Sequence, residues 1–179
     1  MARKVSEIAL ELADREAIRD CLLRYPRAVD RIDIDLLSGF CWPDAVESHA
    51  GIFKGRVVDF FPVVESIARQ FELSQHFYCN MLIEIEGTQA RSETYAFIYQ
   101  EKEDEGGRSS FLAGGRVLGT FEKRDDEWRI IERAVVVDWI KNIPHSADWL
   151  EDPLAHKLTG GRKPDDPSMT HFKTVFASA

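Results

Sequence analysis

Apolar positions in the first third of the chain recur at helical spacing. Ile8 and Leu12 open the pattern, and Ile18, Leu22, Tyr25 and Val29 continue it at steps of four, three and four. Asp14 is a candidate cap for this main helix. A short second helix is predicted over Ile34 to Phe40, ended by Trp42-Pro43-Asp44 because proline cannot continue the hydrogen-bond ladder. Ala45 to Lys54 reads as a small hairpin or two short strands, turning near Ala50-Gly51. A third helix is predicted from Val57 to Phe71, with Phe60, Val64, Ile67, Ala68 and Phe71 on one face and Pro62 in its first turn.

From Ser74 onward the period changes to two, and four strands are predicted: His76–Glu86, Arg91–Lys102, Ser109–Lys123 and Trp128–Lys141. The short turns between them favour antiparallel pairing. Helices first and long strands afterwards predict an α+β fold with helices on one face of a curled sheet. Gly114, Gly115 and Gly119 fit bends that curve the third long strand. The tail beyond Pro144, with Pro153, Gly160, Gly161, Pro164 and Pro167, is predicted to be irregular and to cover a cavity or a neighbouring subunit. The expected division is a domain over residues 1–142 and a tail over 143–179.

Composition narrows the function classes. With 179 residues, 44% of them hydrophobic, the chain is long enough for one domain with a sizeable core. Its net charge of −8 and scattered basic residues argue against nucleic-acid binding. No segment approaches the roughly 20 apolar residues that span a bilayer, and the N-terminus lacks a signal-peptide stretch. A cytoplasmic protein without membrane contact is expected. Cys21, Cys41 and Cys79 have no paired spacing and are expected to be small buried thiols. His49, His76, His145, His156 and His171 are dispersed, so no metal site and no cofactor are expected.

The candidate chemistry centres on His76 in Ser74-Gln75-His76-Phe77-Tyr78, at a strand start. An imidazole, with an ordinary pKa of about 6.5, exchanges protons near neutrality. On the predicted strand it shares a face with Tyr78, Asn80 and Leu82, a mixture suited to a cavity wall. Asp30 lies where the apolar face of the first helix runs out. It is either an ordinary helix-end carboxylate or the partner that orients His76 and stabilises its imidazolium. Arg133 interrupts the stripe Arg129, Ile131, Arg133, Val135, Val137 and Trp139. A buried guanidinium must be paired, either with an acidic neighbour or with an anionic group of a substrate. Tyr25 precedes Asp30 by five residues, about 140° around an ideal helix. It is either core filler or a general acid, and Pro26 beside it is expected to disturb the helix.

The stretches Ala17-Ile18-Arg19-Asp20 and Tyr25-Pro26-Arg27-Ala28-Val29-Asp30, His76-Phe77 at a strand start, and Gly114-Gly115-Arg116 through Phe121 to Ile130 resemble the SnoaL-like group of the nuclear transport factor 2-like superfamily over roughly residues 8–142. In motif they are closest to the hexachlorocyclohexane dehydrochlorinase, scytalone dehydratase and bile-acid 7α-dehydratase enzymes. The resemblance implies a cone, with a strongly curved sheet around three helices and a deep apolar pocket. It implies His76 as the base, Asp30 as its orienting partner, Tyr25 assisting the leaving group and Arg133 stabilising substrate or leaving group. The expected function is therefore a cofactor-independent lyase or isomerase acting on a small hydrophobic cyclic molecule. Phe40, Trp42, Phe53 and Phe71 are candidate lining residues. So are Tyr78, Asn80, Phe97 and Trp139. Two other readings stand beside it: a non-catalytic protein that binds a steroid- or polyketide-like ligand, and a structural protein like the small subunits of ring-hydroxylating dioxygenases. A homo-oligomer, dimer or trimer, is expected because an open curved sheet leaves apolar area on its convex face.

Overall fold

The computed structural model describes residues 4–105, 107–144 and 161–171. Helix α1 runs unbroken over Val5–Arg31, and Ile18, Cys21, Leu22, Tyr25, Ala28 and Val29 form its buried stripe. Asp14 is therefore not a cap. It lies inside the helix and accepts hydrogen bonds from Trp128 Nε1 at 2.8 Å and Lys123 Nζ at 3.0 Å. Burial works to raise its carboxyl pKa, but these two donors outweigh that and hold it below the usual range. Pro26 lies within α1 on the buried side and does not end it, because packing of the stripe outweighs one lost backbone bond.

Helix α2 (Ile34–Ser38) is capped by Asp33, whose side chain accepts from the Leu36 amide. Helix α3 covers Val57–Ala68, three residues short of the predicted end, so Phe71 lies outside it. Pro62 falls in the interior of α3 rather than its first turn.

Six strands form one sheet: β1 (Cys41–His49), β2 (Phe53–Arg56), β3 (Leu73–Glu86), β4 (Gln89–Asp104), β5 (Gly107–Arg124) and β6 (Glu127–Pro144). Their order is β2-β1-β6-β5-β4-β3. All neighbours are antiparallel except β1 and β6, which run parallel. The fold is the predicted α+β type, and the sheet does not close. Pro43, predicted to sit in a break, is inside β1 next to an irregularity in its pairing with β6. Helices α1 and α3 pack on the concave face, where Ile18, Leu22, Phe60, Phe121, Trp128 and Ile130 build the core.

Three bulges set which side chains face the concavity. The β3–β4 register shifts between Tyr78 and Met81. The β5–β6 register shifts between Thr120 and Phe121 and again between Gly114 and Gly115. Each extra residue reverses the inward and outward alternation. On β3, His76 and Tyr78 point inward before the bulge and Met81, Ile83 and Ile85 after it, while Asn80 and Leu82 are exposed. The expected single face of His76, Tyr78, Asn80 and Leu82 is thus broken at Cys79-Asn80. On β6 the stripe from Arg129 is broken in the same way. Trp128 and Ile130 are buried before the shift and Arg133 after it. Glycine is required where β5 bends: a Cβ on Gly115 would lie 2.2 Å from the Val136 carbonyl oxygen, and one on Gly114 would lie 2.4 Å from the Trp139 ring.

The described part of the tail, residues 161–171, rests on the C-terminal end of α1. Arg31 pairs with Asp166 at 2.9 Å, Lys163 with Asp33 at 2.8 Å, and Arg27 donates to Ser168 at 2.8 Å. Burial would raise the Asp166 carboxyl, but donors from Ser168 and Gly161, with the Arg31 charge, hold it at about 2. Residues 145–160 and 172–179 lie outside the described residues, as do His145 and His156.

Cys21 and Cys41 are buried as expected, but Cys79 at the β3 bulge is exposed. Burial pushes both inner thiols up to about 12. An aromatic disulfide reagent is expected to modify one thiol per native chain within minutes and all three only after unfolding; two fast thiols in the native protein would contradict the burial of Cys21 and Cys41.

Candidate active site

Asp30 occupies the last turn of α1, where the helix dipole disfavours an anion. The chain leaves the helix through Ile32, whose φ of 53° is unusual for a β-branched residue. The Ile32 and Asp33 amides close the turn on the Val29 and Ala28 carbonyls. This turn directs the Asp30 side chain at the start of β3. There Asp30 Oδ1 meets His76 Nδ1 at 2.5 Å and accepts from Ser74 Oγ at 3.1 Å, while Oδ2 accepts from the His76 amide at 2.9 Å. Gln100 on β4 donates to Ser74 Oγ at 3.1 Å. Three donors on one buried carboxylate compensate its unfavourable position. They also leave His76 Nε2 as the ring nitrogen free for other chemistry.

A second group sits further along the concave face, on the row Glu47–Arg133–Gly119–Ser92 that crosses β1, β6, β5 and β4. Arg133 Nη1 donates to Glu47 Oε1 at 2.5 Å and Nη2 donates to Tyr78 Oη at 3.0 Å. Glu47 is fully buried and Arg133 is 5% exposed. The guanidinium lies 4.1 Å from the centre of the Tyr25 ring, a cation–π contact. Burial works against the Arg133 charge, but Tyr25, Tyr78 and Glu47 around it prevail and hold its pKa above the ordinary value. Of the two alternatives for Arg133, the acidic neighbour is present. His49, two residues beyond Glu47, brings Nδ1 to 3.0 Å from the same Glu47 oxygen and stacks on Phe60 at 5.0 Å. Glu47 and His49 belong to this cluster, although the sequence pattern points to neither as a partner of Arg133. Their spacing of two on a strand, out of phase with half-exposed Val46, is the signal that could have found them.

His76, His49, Tyr78 and Arg133 line one cavity with Ala96, Ile98, Ala113, Val117, Val135 and Val137. Its space is about 40 Å³, and a single water needs roughly 10–15 Å³. The room here is thus far smaller than the deep pocket expected for a cyclic molecule. Tyr25 is 3% exposed and belongs to the core beneath Arg133, not to the cavity wall. Burial pushes its phenol well above the ordinary value, and its hydroxyl has no hydrogen-bond partner among the described residues.

Of the eight candidate lining residues, the structure puts Tyr78 on this wall. Phe40 is in the core, and Phe53 packs against Phe60 at 5.3 Å. Trp42 donates to the Glu122 carbonyl at 2.9 Å, with Arg124 and Arg129 over its ring. Phe71 meets Phe111 edge-on at 5.7 Å, and Asn80 is exposed at the bulge. Phe97 and Trp139 meet edge-on at 5.2 Å on the convex face, because the shift at Gly114/Gly115 turns Trp139 away from the cavity. Among the described residues no group of three His, Cys, Asp or Glu side chains gathers as a metal site. No described helix is long and apolar enough to cross a membrane.

Residues 10–134 match the SnoaL-like domain family. The chain belongs to this family. Among solved structures, the SnoaL-like fold here superimposes on a putative scytalone dehydratase from Novosphingobium aromaticivorans with a TM-score of 0.67 at 19% identity, covering 76% of this chain and 92% of that one. A type 2 hexachlorocyclohexane dehydrochlorinase gives 0.69 at 20% identity, covering 76% and 95%. The type 3 enzyme from Novosphingobium barchaimii LL02 gives 0.67 at 18%, covering 76% and 94%. At these identities the likeness is one of fold. No curated protein matches the chain in sequence.

Proposed function

We propose that this SnoaL-like protein is a cofactor-independent lyase or isomerase that removes a proton from carbon in a small, mainly hydrophobic cyclic molecule. The observation that carries this reading is the 2.5 Å contact between His76 Nδ1 and Asp30, with Nε2 left toward an apolar cavity. With Nδ1–H donated to Asp30, Nε2 is an acceptor, and Asp30 stabilises the imidazolium once the proton has moved. Arg133, kept charged, supplies positive potential near developing negative charge. Tyr78, hydrogen-bonded to Arg133, presents a hydroxyl on the same wall. Tyr25 acts from beneath, as a positioning residue for Arg133. Of the alternatives, passive binding gives no reason for a carboxylate held by three donors against one imidazole. A structural-subunit role would leave the dyad equally without purpose. The small size of the cavity means that binding a ring moves side chains at the wall, where Val137 is half exposed.

The test is a panel of cyclic β-hydroxy and β-halo ketones and halocycloalkanes offered to the full-length protein, followed by loss of substrate and deuterium exchange at carbon. Turnover or exchange that disappears in His76→Ala supports the reading. Ligand binding with neither turnover nor exchange in the wild type favours the binding-protein reading instead.

A homo-oligomer through the convex face is part of this proposal. Phe77, Phe97 and Trp139 form one row across β3, β4, β5 and β6, with Tyr95 and Leu118 beside it, and all five are at least 40% exposed. Such a patch on a soluble chain normally marks a contact. Sedimentation equilibrium is expected to give a dimer or trimer, and Phe97→Glu with Trp139→Glu a monomer; a monomeric wild type at micromolar concentration would end this part of the proposal.

A further inference from the structure

The cavity carries two histidine–carboxylate pairs, and the base reaction needs one. We propose that His49, held by Glu47, is the general acid of the reaction and that the natural substrate therefore loses a hydroxyl group as water rather than a halide. The inference rests on the lyase reading of His76 and Asp30.

The two imidazoles have the same construction. Each directs Nδ1 at a buried carboxylate, at 2.5 Å for His76 and 3.0 Å for His49, so each presents Nε2 to other partners. Each lines the same space. They come from opposite parts of the sheet, His49 from β1 and His76 from β3, with β6, β5 and β4 between them. A molecule in that space therefore meets them from two sides. Asp30 also accepts from Ser74 Oγ and the His76 amide, with the Arg162 charge acting on it. Glu47 shares one oxygen between His49 and the Arg133 guanidinium, and its second oxygen has no hydrogen-bond partner among the described residues. With His76 as the base, His49 is the second imidazole on the same wall, placed on the far side of a bound molecule where a departing group stands. The charged and titratable groups on the cavity wall with His49 are Arg133, Arg116, Tyr78 and His76.

The step balances. His76 Nε2 takes the proton from carbon, and the C–H electron pair becomes the new C=C bond. His49 enters the step as the imidazolium, with Nδ1–H on Glu47 and a second proton on Nε2. The C–O bond breaks with its pair on oxygen, and that Nε2 proton converts the oxygen to water, leaving His49 neutral. The protein ends with one proton moved from His49 to His76, and exchange with solvent resets both. A departing halide needs no proton, so His49 has a purpose in the first reaction and none in the second.

The experiment compares 3-hydroxycyclohexanone with 3-chlorocyclohexanone, both of which give cyclohexenone, with the uncatalysed rates subtracted. The full chain is assayed as wild type, His49→Phe, His49→Gln and His76→Ala. Phenylalanine keeps a ring against Phe60 and glutamine keeps a polar group, so loss of folding in one variant leaves the other to decide. In both His49 variants, turnover of the hydroxyl compound is expected to fall by about a hundredfold or more, the scale of a lost general acid. The chloride compound should change less than about threefold, and His76→Ala should lose both activities. Equal losses on the two compounds, or turnover that needs His76 and ignores His49, would overturn the assignment of His49 alone. A wild type that accelerates neither compound would count against the lyase reading itself and remove this inference with it.

Discussion

Glu47→Ala is expected to destabilise the protein by about 3–5 kcal/mol, the range for removing one partner of a buried ion pair. For a chain of this size that is a fall in Tm on the order of 10 °C. The expectation follows from where the charges sit. Glu47 is fully buried, Arg133 is 5% exposed, and Arg133 Nε already lacks a hydrogen bond among the described residues. Without the carboxylate, the guanidinium retains the Tyr78 hydroxyl and the Tyr25 ring, which are dipole and quadrupole rather than charge. Neither repays the desolvation of a cation that stays protonated at any accessible pH. The double replacement Glu47→Leu with Arg133→Met removes both charges and is expected to recover most of the loss. Urea unfolding of the three proteins measures this directly, provided the m-value is unchanged. A Glu47→Ala protein as stable as the wild type would mean that water reaches Arg133, and the site would then be wetter than its burial indicates.

This pair also marks the boundary of what the sequence makes legible. The apolar stripe Ile18, Leu22, Tyr25, Val29 identifies α1 because a helix must bury one face, and the long alternating runs identify β3 to β6 for the corresponding reason. Asp30 and His76 could be matched because each lies at the end of an element whose existence the pattern already requires. Glu47 and Arg133 are 86 positions apart and meet only because β1 runs parallel to β6. Strand order is a property of the whole sheet, and nothing local to residues 41–49 encodes it. The bulges are hidden for a different reason. One extra residue at Cys79-Asn80 exposes Asn80 and Leu82, and the shift at Gly114/Gly115 sends Trp139 to the convex face. A strict period of two has no place for either. Aromatic residues along these strands consequently read as cavity lining when Phe97 and Trp139 lie outside it. Phe40 and Phe53 fail for a third reason: core and pocket select the same side chains, and only packing against Phe60 and its neighbours separates them.

His76→Ala is expected to lower kcat on a turned-over substrate by about 10²–10⁴-fold, the contribution typical of a positioned general base. Asp30→Asn should cost a comparable factor by a different route. An asparagine has one carbonyl oxygen for these donors. It takes either the His76 amide at the Oδ2 position or Ser74 Oγ and the ring at the Oδ1 position, and the other set loses its acceptor. The amide nitrogen, however, would donate where the carboxylate accepted. If it faces Nδ1, the neutral ring moves its proton to Nε2, and the nitrogen toward the cavity becomes a donor that cannot take a proton from carbon. If the carbonyl faces Nδ1 instead, the tautomer is kept, but the negative charge that stabilises the imidazolium is gone. Either way kcat falls while KM changes little, because neither variant alters the apolar wall of Ala96, Ile98, Ala113 and Val117. A KM effect with kcat intact in both variants would place Asp30 and His76 in binding rather than proton transfer. Stability separates the two positions further. Replacing His76 with alanine leaves a buried carboxylate with two donors in place of three, and chemical unfolding should register a loss of about 1–3 kcal/mol. Asp30→Asn, which removes a charge from the C-terminal end of α1 where the helix dipole opposes it, should cost less.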